Sequence, residues 1–359
     1  MDPISAQSVL AAAGDGGGGN PDDLVVAIAH RASDRIQVYE FNKSTGFGTQ
    51  YSAPSTLPTG DTTSCKFTPD KSKLIVAHIT SPYVTAYPWS NSSGFGTKYS
   101  NPSTLPAGNC YSVAVNSNSD RVLLASDVSP YLHAYQISSS GWGTKFSNPS
   151  TLPGGTCYEV AFAGQGGAVI AAMFGASPYQ IAYSWSDSSG FGSKYTDPSA
   201  TSAQTVGCDG SSDGNHVAFA HFGSPFVTAY PWSNSSGFGT KHSDPSTIPS
   251  STAYDVAFSP DSDYICFGHT QGFNVYPWSS SGFGTAYTQP AYIDSTGIGR
   301  LATWNQDQDV IFMTRQNVFS GDGIGFACYE WSSSGFGTRY SNPSNMTASN
   351  NFGVSVINT

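Results

Sequence analysis

The sequence has 359 residues, with 14 Lys and Arg, 24 Asp and Glu, and a formal net charge of −10. Only 11% of its residues are charged, against about 25% in an ordinary soluble domain, and Gly, Ser, Thr and aromatic residues replace the usual charged helix formers. This composition argues against a mainly helical protein. The acidic balance argues against a nucleic-acid partner, and no apolar run approaches the roughly 20 residues of a membrane span.

The first 23 residues form a segment of their own. An Asp-Pro pair at positions 2 and 3 suits a helix start, so residues 4–13 are predicted as a short apolar helix, followed by a glycine-rich linker over 14–19. A helix of ten residues is marginal alone in water. Two interpretations therefore stand: a frayed tail, or a tethered peptide that folds on a partner subunit. The predicted docking residues are Ile4, Val9 and Leu10.

From residue 24 to residue 359, one unit recurs seven times. Its landmark is a Gly-aromatic-Gly triplet that follows a cluster of serines, with Trp in the third copy and Phe in the others. The triplets begin at Gly46, Gly94, Gly141, Gly190, Gly237, Gly282 and Gly335. Six intervals span 289 residues, so the period is about 48 residues.

The third unit shows the predicted layout of a repeat. Short apolar or alternating runs predict strands over 111–115, 121–126 and 131–137, and a fourth strand over 145–149 follows a hairpin at 138–143. Four antiparallel strands per unit and this period are typical of propeller blades. We therefore predict an all-β fold, a seven-bladed β-propeller of four-stranded antiparallel blades spanning residues 24–359.

The two ends of the chain predict how the ring closes. Residues 24–28 match the second strand of a unit, whereas residues 351–356 match a first strand. The C-terminal strand is therefore expected to complete the N-terminal blade, which removes sheet edges that would otherwise invite association.

Two stretches carry resemblances to known families. Residues 256–265 resemble the first strand, turn and second strand of WD-repeat and lactonase-like propellers, although the terminal Trp-Asp of a WD blade is absent. Residues 230–241 resemble repeats in propeller proteins of tailed-bacteriophage virions, and the N-terminal segment resembles the docking segments of such virion proteins. The second resemblance implies a subunit of a phage tail or capsid, anchored by its arm and displayed outward.

Side chains with possible chemistry have structural explanations. His30, His78, His221 and His269 occupy one aligned strand position, but neighbouring blades place such positions ~10 Å apart, too far for a shared metal. Asp209, Asp213, Asp261 and Asp263 lie in or near predicted turns, where turn chemistry explains them and a weak surface calcium site is the alternative. The six cysteines lack paired spacing. No metal or cofactor is predicted.

Function is predicted from what breaks the repeat. A residue shared by all units serves blade architecture, and the two obvious irregularities, 292–300 and 318–326, hold no catalytic set. We therefore expect no enzyme. The preferred hypothesis is a non-enzymatic, multicopy virion protein for decoration or host attachment, located in the virion or extracellularly. The alternatives are a carbohydrate-binding lectin and a lactonase-like hydrolase with a metal in its central channel.

A candidate surface for a host glycan or protein receptor is formed by aromatic residues that follow the second strand of several units. Most of them come directly after a Ser-Pro turn. They are Tyr83, Tyr131, Tyr179, Phe226 and Phe319.

Overall fold

The computed structural model describes residues 22–198, 203–290, 293, 298–316, 325–347 and 350–359. Apart from a 3-10 helix at Gly164–Gly166, its regular elements are strands. In chain order they are β1 (Asp23–His30), β2 (Ile36–Asn42), β3 (Gly46–Gln50), β4 (Thr62–Phe67), β5 (Lys73–His78), β6 (Val84–Ser90), β7 (Gly94–Phe95), β8 (Cys110–Val115), β9 (Arg121–Ser126), β10 (Leu132–Ser138), β11 (Gly141–Lys145), β12 (Thr156–Ala163), β13 (Ala168–Phe174), β14 (Gln180–Ser186), β15 (Gly190–Lys194), β16 (Thr205–Gly210), β17 (His216–His221), β18 (Val227–Ser233), β19 (Gly237–Phe238), β20 (Ala253–Phe258), β21 (Tyr264–His269), β22 (Gly272–Ser279), β23 (Gly282–Phe283), β24 (Ile298–Trp304), β25 (Val310–Gln316), β26 (Phe326–Ser332), β27 (Gly335–Arg339) and β28 (Asn351–Asn358).

These strands form seven antiparallel sheets of four strands, which we call blades 1 to 7. Blade 1 has the order β28-β1-β2-β3, and blades 2 to 7 take the remaining strands four at a time in chain order. The first strands of neighbouring blades contact one another in sequence around the ring, from β4 through β24 to β28 and back to β4. The prediction of a seven-bladed propeller is confirmed, and these inner strands surround its central channel.

The ring closes in the way that the sequences of the two chain termini predicted. β28 pairs antiparallel with β1, with Leu24 opposite Asn358 and Ile28 opposite Val354. β1 begins at Asp23, one residue before the predicted start of the propeller. The last strand of the chain is therefore the inner strand of the blade whose other three strands come first.

The core lies between blades, because both faces of the second strands are buried. In β5, Leu74, Ile75, Val76 and Ala77 are all fully buried. Ile75 and Ala77 pack against blade 3, in one cluster with Val113, whereas Leu74 and Val76 pack on the other side with residues of blade 1. Continuous apolar runs in the sequence are thus explained by burial on two faces.

The outer strands differ from the prediction. The glycine of each Gly-aromatic-Gly triplet begins the fourth strand, so in blade 3 this strand is Gly141–Lys145 rather than 145–149. Gly141 has a φ of +98°, a backbone conformation that glycine adopts without a Cβ clash. This tight turn places Trp142 opposite Ile137. The hairpin is therefore shorter than the sequence suggested, and the proline at 149 lies beyond the strand.

Residues 1–21 lie outside the described residues, and so do the predicted docking residues Ile4, Val9 and Leu10. The docking role of the arm stays a prediction. Within the part of the chain that the structure describes, no helix has the length and apolarity needed to cross a membrane.

Candidate active site

A β-bulge near the start of every inner strand places one unpaired residue per blade at the same end of the central channel. The pairing register between the first and second strands shifts there in all seven blades. A bulge bends its strand and re-aims a side chain. We call this end of the ring the channel mouth. The bulged residues are Thr63, Tyr111, Tyr158, Val206, Tyr254, Arg300 and Phe352.

One side of the channel mouth is lined by aromatic rings in a continuous series, which we call the aromatic arc. The rings of Tyr111 and Tyr158 lie 4.8 Å apart, and Tyr158 lies 5.5 Å from Phe174. Phe222 lies 5.7 Å from Phe174 and 5.7 Å from Tyr254. The arc crosses blades 3 to 6, and Phe222 is its most open member, with 37% of its surface exposed.

The other side of the channel mouth is cationic. The Arg300 guanidinium lies 4.6 Å from the centre of the Tyr254 ring and 5.4 Å from that of Phe352. Arg31 approaches the Phe352 ring to 4.2 Å. Arg300 also donates to the side-chain oxygen of Gln316. Burial lowers the pKa of Arg300 to about 10, so this guanidinium remains charged at neutral pH.

Two carboxyl groups meet directly beside the bulges. Glu159 follows Tyr158 in β12, and Asp255 follows Tyr254 in β20; their exposed fractions are only 8% and 4%. The two side chains are hydrogen-bonded to each other, a contact that requires a proton between them. Burial first, and then the neighbouring charge of Glu159, raise the pKa of Asp255 well above its ordinary value. Asp255 is therefore suited to hold a proton beside Glu159.

A glycine allows this pair to span an intervening blade. Gly207 in β16 lies between the two acidic strands, and a Cβ there would come within 2.7 Å of the Asp255 Cα. The Glu159 carboxylate is held against β16, because its Oε2 accepts a hydrogen bond of 3.3 Å from the Cys208 amide of that strand. The site is thus built from three adjacent inner strands.

A third buried acid has a structural role. Asp209 lies within β16, close to the turn that the sequence predicted. Its Oδ2 accepts a hydrogen bond of 2.8 Å from the Phe258 amide of the next blade. Ser355 makes the corresponding contact between blades 1 and 2, where its hydroxyl accepts a 3.0 Å hydrogen bond from the Phe67 amide. Asp209 therefore joins blades, as Ser355 does.

The aligned histidines lie at the ends of second strands, where His78 faces Thr62 and His221 faces Thr205. Burial lowers the pKa of His78 and of His221 to about 4. His78 Nε2 is 3.0 Å from the Thr85 hydroxyl. Among the described residues, no group of three or more His, Cys, Asp and Glu side chains could hold a metal ion. These histidines are therefore packed into the blades rather than gathered into one cluster.

The predicted receptor residues that the structure describes lie in the loops that follow the second strands, and Phe226 shares its loop with Phe222 of the aromatic arc. Tyr83, Tyr131 and Phe226 are half-buried and pack against the apolar clusters between blades. Tyr179 is also half-buried, and Phe319 lies outside the described residues. A ligand-binding role for these five residues stays a prediction.

Sequence reasoning missed the acidic pair, although two signals pointed to it. The chain has only three glutamates, and one of them, Glu159, follows a tyrosine in an otherwise apolar first strand. Asp255 occupies the matching position two repeats later. Arg300 ends the irregular connection at 292–300, for which the sequence predicted no chemistry. Aligning the residues that differ between repeats, position by position, would have found all three.

No family model matches the chain, and no curated protein matches it. Solved structures match over nearly its whole length. A Bacteroides fragilis protein described as a 6-phosphogluconolactonase has a TM-score of 0.70 at 11% identity, over 95% of this chain and 99% of its own. A periplasmic gluconolactonase of Pseudomonas aeruginosa has a TM-score of 0.68 at 14% identity, over 92% and 98%. A β-propeller domain from Myceliophteria thermophila has a TM-score of 0.59 at 9% identity, over 80% and 89%.

These similar structures correct the functional expectation. The hypothesis of a non-enzymatic virion protein is wrong, because propellers that match nearly the whole chain carry lactonase names. The resemblance to phage repeats has no support from them. At these identities the likeness establishes the fold, which the present chain shares with lactonase-like and WD-repeat propellers. Activity has to be argued from the channel mouth itself.

Proposed function

We propose that this protein is a lactonase-like hydrolase that opens a cyclic ester at the channel mouth. The observation that carries the proposal is the hydrogen-bonded pair of Glu159 and Asp255, placed close to Arg300 at the channel mouth. Paired carboxyl groups whose protonation states differ are suited to general acid–base work. The lactonase names of similar propellers support the same class of reaction.

The geometry suggests a role for each group. A water molecule attacks the ester carbonyl carbon while the Glu159 carboxylate accepts a proton from it. The carbonyl oxygen gains negative charge, and the Arg300 guanidinium stabilises that charge. The bond between the carbonyl carbon and the ring oxygen then breaks, and the leaving oxygen takes the proton of Asp255. One water is consumed, and the product is an open-chain hydroxy acid.

The hydrogen bond between the two acids resets the pair. After the reaction Glu159 carries the proton and Asp255 the charge, and transfer along their hydrogen bond restores the starting state. Burial raises the pKa of Asp255, which favours its protonated form before the next turnover.

The test is hydrolysis of a panel of five- and six-membered lactones, with the rate measured from the protons that are released. Glu159→Gln and Asp255→Asn should each lower kcat/KM by about 10²–10³-fold, the range expected for loss of a general acid or base. Asp244→Asn is the matched control, because Asp244 lies on the outer edge of blade 5 and pairs with Lys241. Wild-type protein that opens no lactone in the panel, or equal rates in all variants, would overturn the proposal.

A further inference from the structure

The aromatic arc bears on which class of lactone this site binds. From the described contacts we infer that the arc is a subsite for a planar aryl group fused to, or carried by, the lactone ring. This inference rests on the proposed function, and it names the substrate class of the same site. The favoured ligand is an aryl lactone rather than a polyhydroxylated sugar lactone.

The arc offers ring surface to a ligand. Tyr158, Phe174 and Tyr254 are half-buried, and Phe222 between the last two is exposed to 37%. Most neighbouring pairs meet edge to face, with interplanar angles of 80° between Tyr158 and Phe174 and 73° between Phe174 and Phe222. Edge-to-face packing leaves alternate ring faces open to a further aromatic partner.

The arc is also extended by an aliphatic side chain at its blade 3 end. Val128 is 46% exposed and follows Asp127 in the loop after β9. The Tyr111 hydroxyl donates to Asp127 Oδ2 at 3.3 Å, which holds the Tyr111 ring next to this loop. Because that hydroxyl is already engaged, Tyr111 presents mainly its ring. A sugar lactone would need partners for its hydroxyl groups along this surface, whereas an aryl group needs none.

The position of Arg300 fixes the orientation of the ligand. Arg300 packs on Tyr254 at the blade 6 end of the arc; Tyr254 in turn contacts Phe222, which contacts Phe174. An ester carbonyl beside the guanidinium would direct a fused aryl ring back along the arc. The charged end and the apolar surface therefore match the two ends of a molecule such as dihydrocoumarin, whose carbonyl and benzene ring lie on opposite sides of one short scaffold.

The experiment compares dihydrocoumarin with δ-valerolactone, which has the same lactone ring without the aryl group. Phe222→Ala and the milder Phe222→Leu should raise KM for dihydrocoumarin, by at least tenfold for the alanine variant, with little change in kcat. The KM increase for δ-valerolactone should be much smaller, because this lactone carries no aryl group to contact Phe222. Leu152→Ala is the matched control, because Leu152 is similarly exposed but lies in the outer loop after blade 3. Equal KM changes for both lactones would overturn the inference.

A second measurement separates this inference from the proposed function. The lactam analogue 3,4-dihydro-2-quinolinone resists opening, so its binding can be followed by calorimetry whether or not the protein turns over lactones. Binding to wild type that is lost in Phe222→Ala, in a protein that opens no lactone, would uphold the subsite and reject the hydrolase. Hydrolysis of δ-valerolactone with no binding of the lactam would uphold the hydrolase and reject the subsite.

Discussion

The outer hairpins and the channel mouth of this propeller follow opposite rules. In the outer hairpins every blade places an aromatic ring opposite a buried apolar residue: in blades 2 and 5, Phe95 and Phe238 each lie 5.1 Å from the tryptophan on the adjacent strand. At the channel mouth the bulged position is tyrosine in three blades and differs in the other four, which carry Thr63, Val206, Arg300 and Phe352. Repetition therefore marks what holds the ring together, and variation at a shared position marks where chemistry is placed. Changes confined to one region or the other should separate the two roles.

Loss of ring closure should have the largest effect on stability. Removing residues 350–359 deletes β28, so β1 loses its partner from Leu24 to His30 and blade 2 loses its contact with Ser355. We expect the free energy of unfolding to fall by several kcal/mol, because buried backbone groups lose their partners. Thermal unfolding of the truncated chain measures this. A melting temperature equal to that of a chain lacking only Thr359 would contradict the role of closure.

Acid should destabilise the scaffold through its buried histidines. The pKa of His78, His133 and His221 is lowered to about 4 by burial. Because the unfolded value is near 6.5, the unfolded chain binds more protons below that pH. Stability should therefore be full above pH 6.5 and decline as pH falls towards 4, by on the order of 3 kcal/mol per histidine. Urea unfolding at several pH values tests this, and His133→Gln should flatten the decline.

Two glycines provide a matched test of the acidic site. Gly207→Ala would press a methyl group against the Asp255 backbone at 2.7 Å, whereas at Gly154 the nearest atom, the Ala176 Cβ, lies at 3.4 Å. We expect Gly207→Ala to cost about 1–3 kcal/mol, as overpacking does, and to lower lactone hydrolysis by displacing Asp255. Gly154→Ala should change neither quantity appreciably. Equal behaviour of the two variants would show that the close approach at Gly207 is unimportant.

The smallest expected change in stability is a gain rather than a loss, and it concerns Asp255. A carboxyl group whose pKa is raised on folding gives stability that is lost as pH rises, so Asp255 weakens the fold at neutral pH. Asp255→Asn removes that penalty and keeps a donor for Glu159. We expect a melting temperature at pH 8 that is unchanged or slightly higher, together with a large loss of hydrolysis. A clear drop in melting temperature would assign Asp255 to the scaffold instead.

The fold was predictable because its signals are local and repeated. Gly-aromatic-Gly triplets, a period of about 48 residues and complementary chain ends specify seven blades and their closure without any long-range information. The start of the outer strand was misplaced because the positive φ of residues such as Gly141 converts an apparent loop into a tight turn.

The site was not predictable in the same way. Glu159 and Asp255 are 96 positions apart in the sequence, and they meet only because β12, β16 and β20 are successive inner strands with a glycine between the acids. The bulges that re-aim Tyr158 and Tyr254 leave no signal in apolar–polar alternation. Composition and repeat patterns emphasise what units share, and therefore overlook a site made from their differences.

A crystal structure with 3-(2-hydroxyphenyl)propanoate, the opened product of dihydrocoumarin, tests the central claim most directly. We expect a single bound molecule at the channel mouth, with its carboxylate beside Arg300 and the Glu159–Asp255 pair and its ring against Phe222. Binding at the outer Gly-aromatic-Gly hairpins with an empty channel mouth would contradict it, and would favour a multivalent binding protein over a hydrolase.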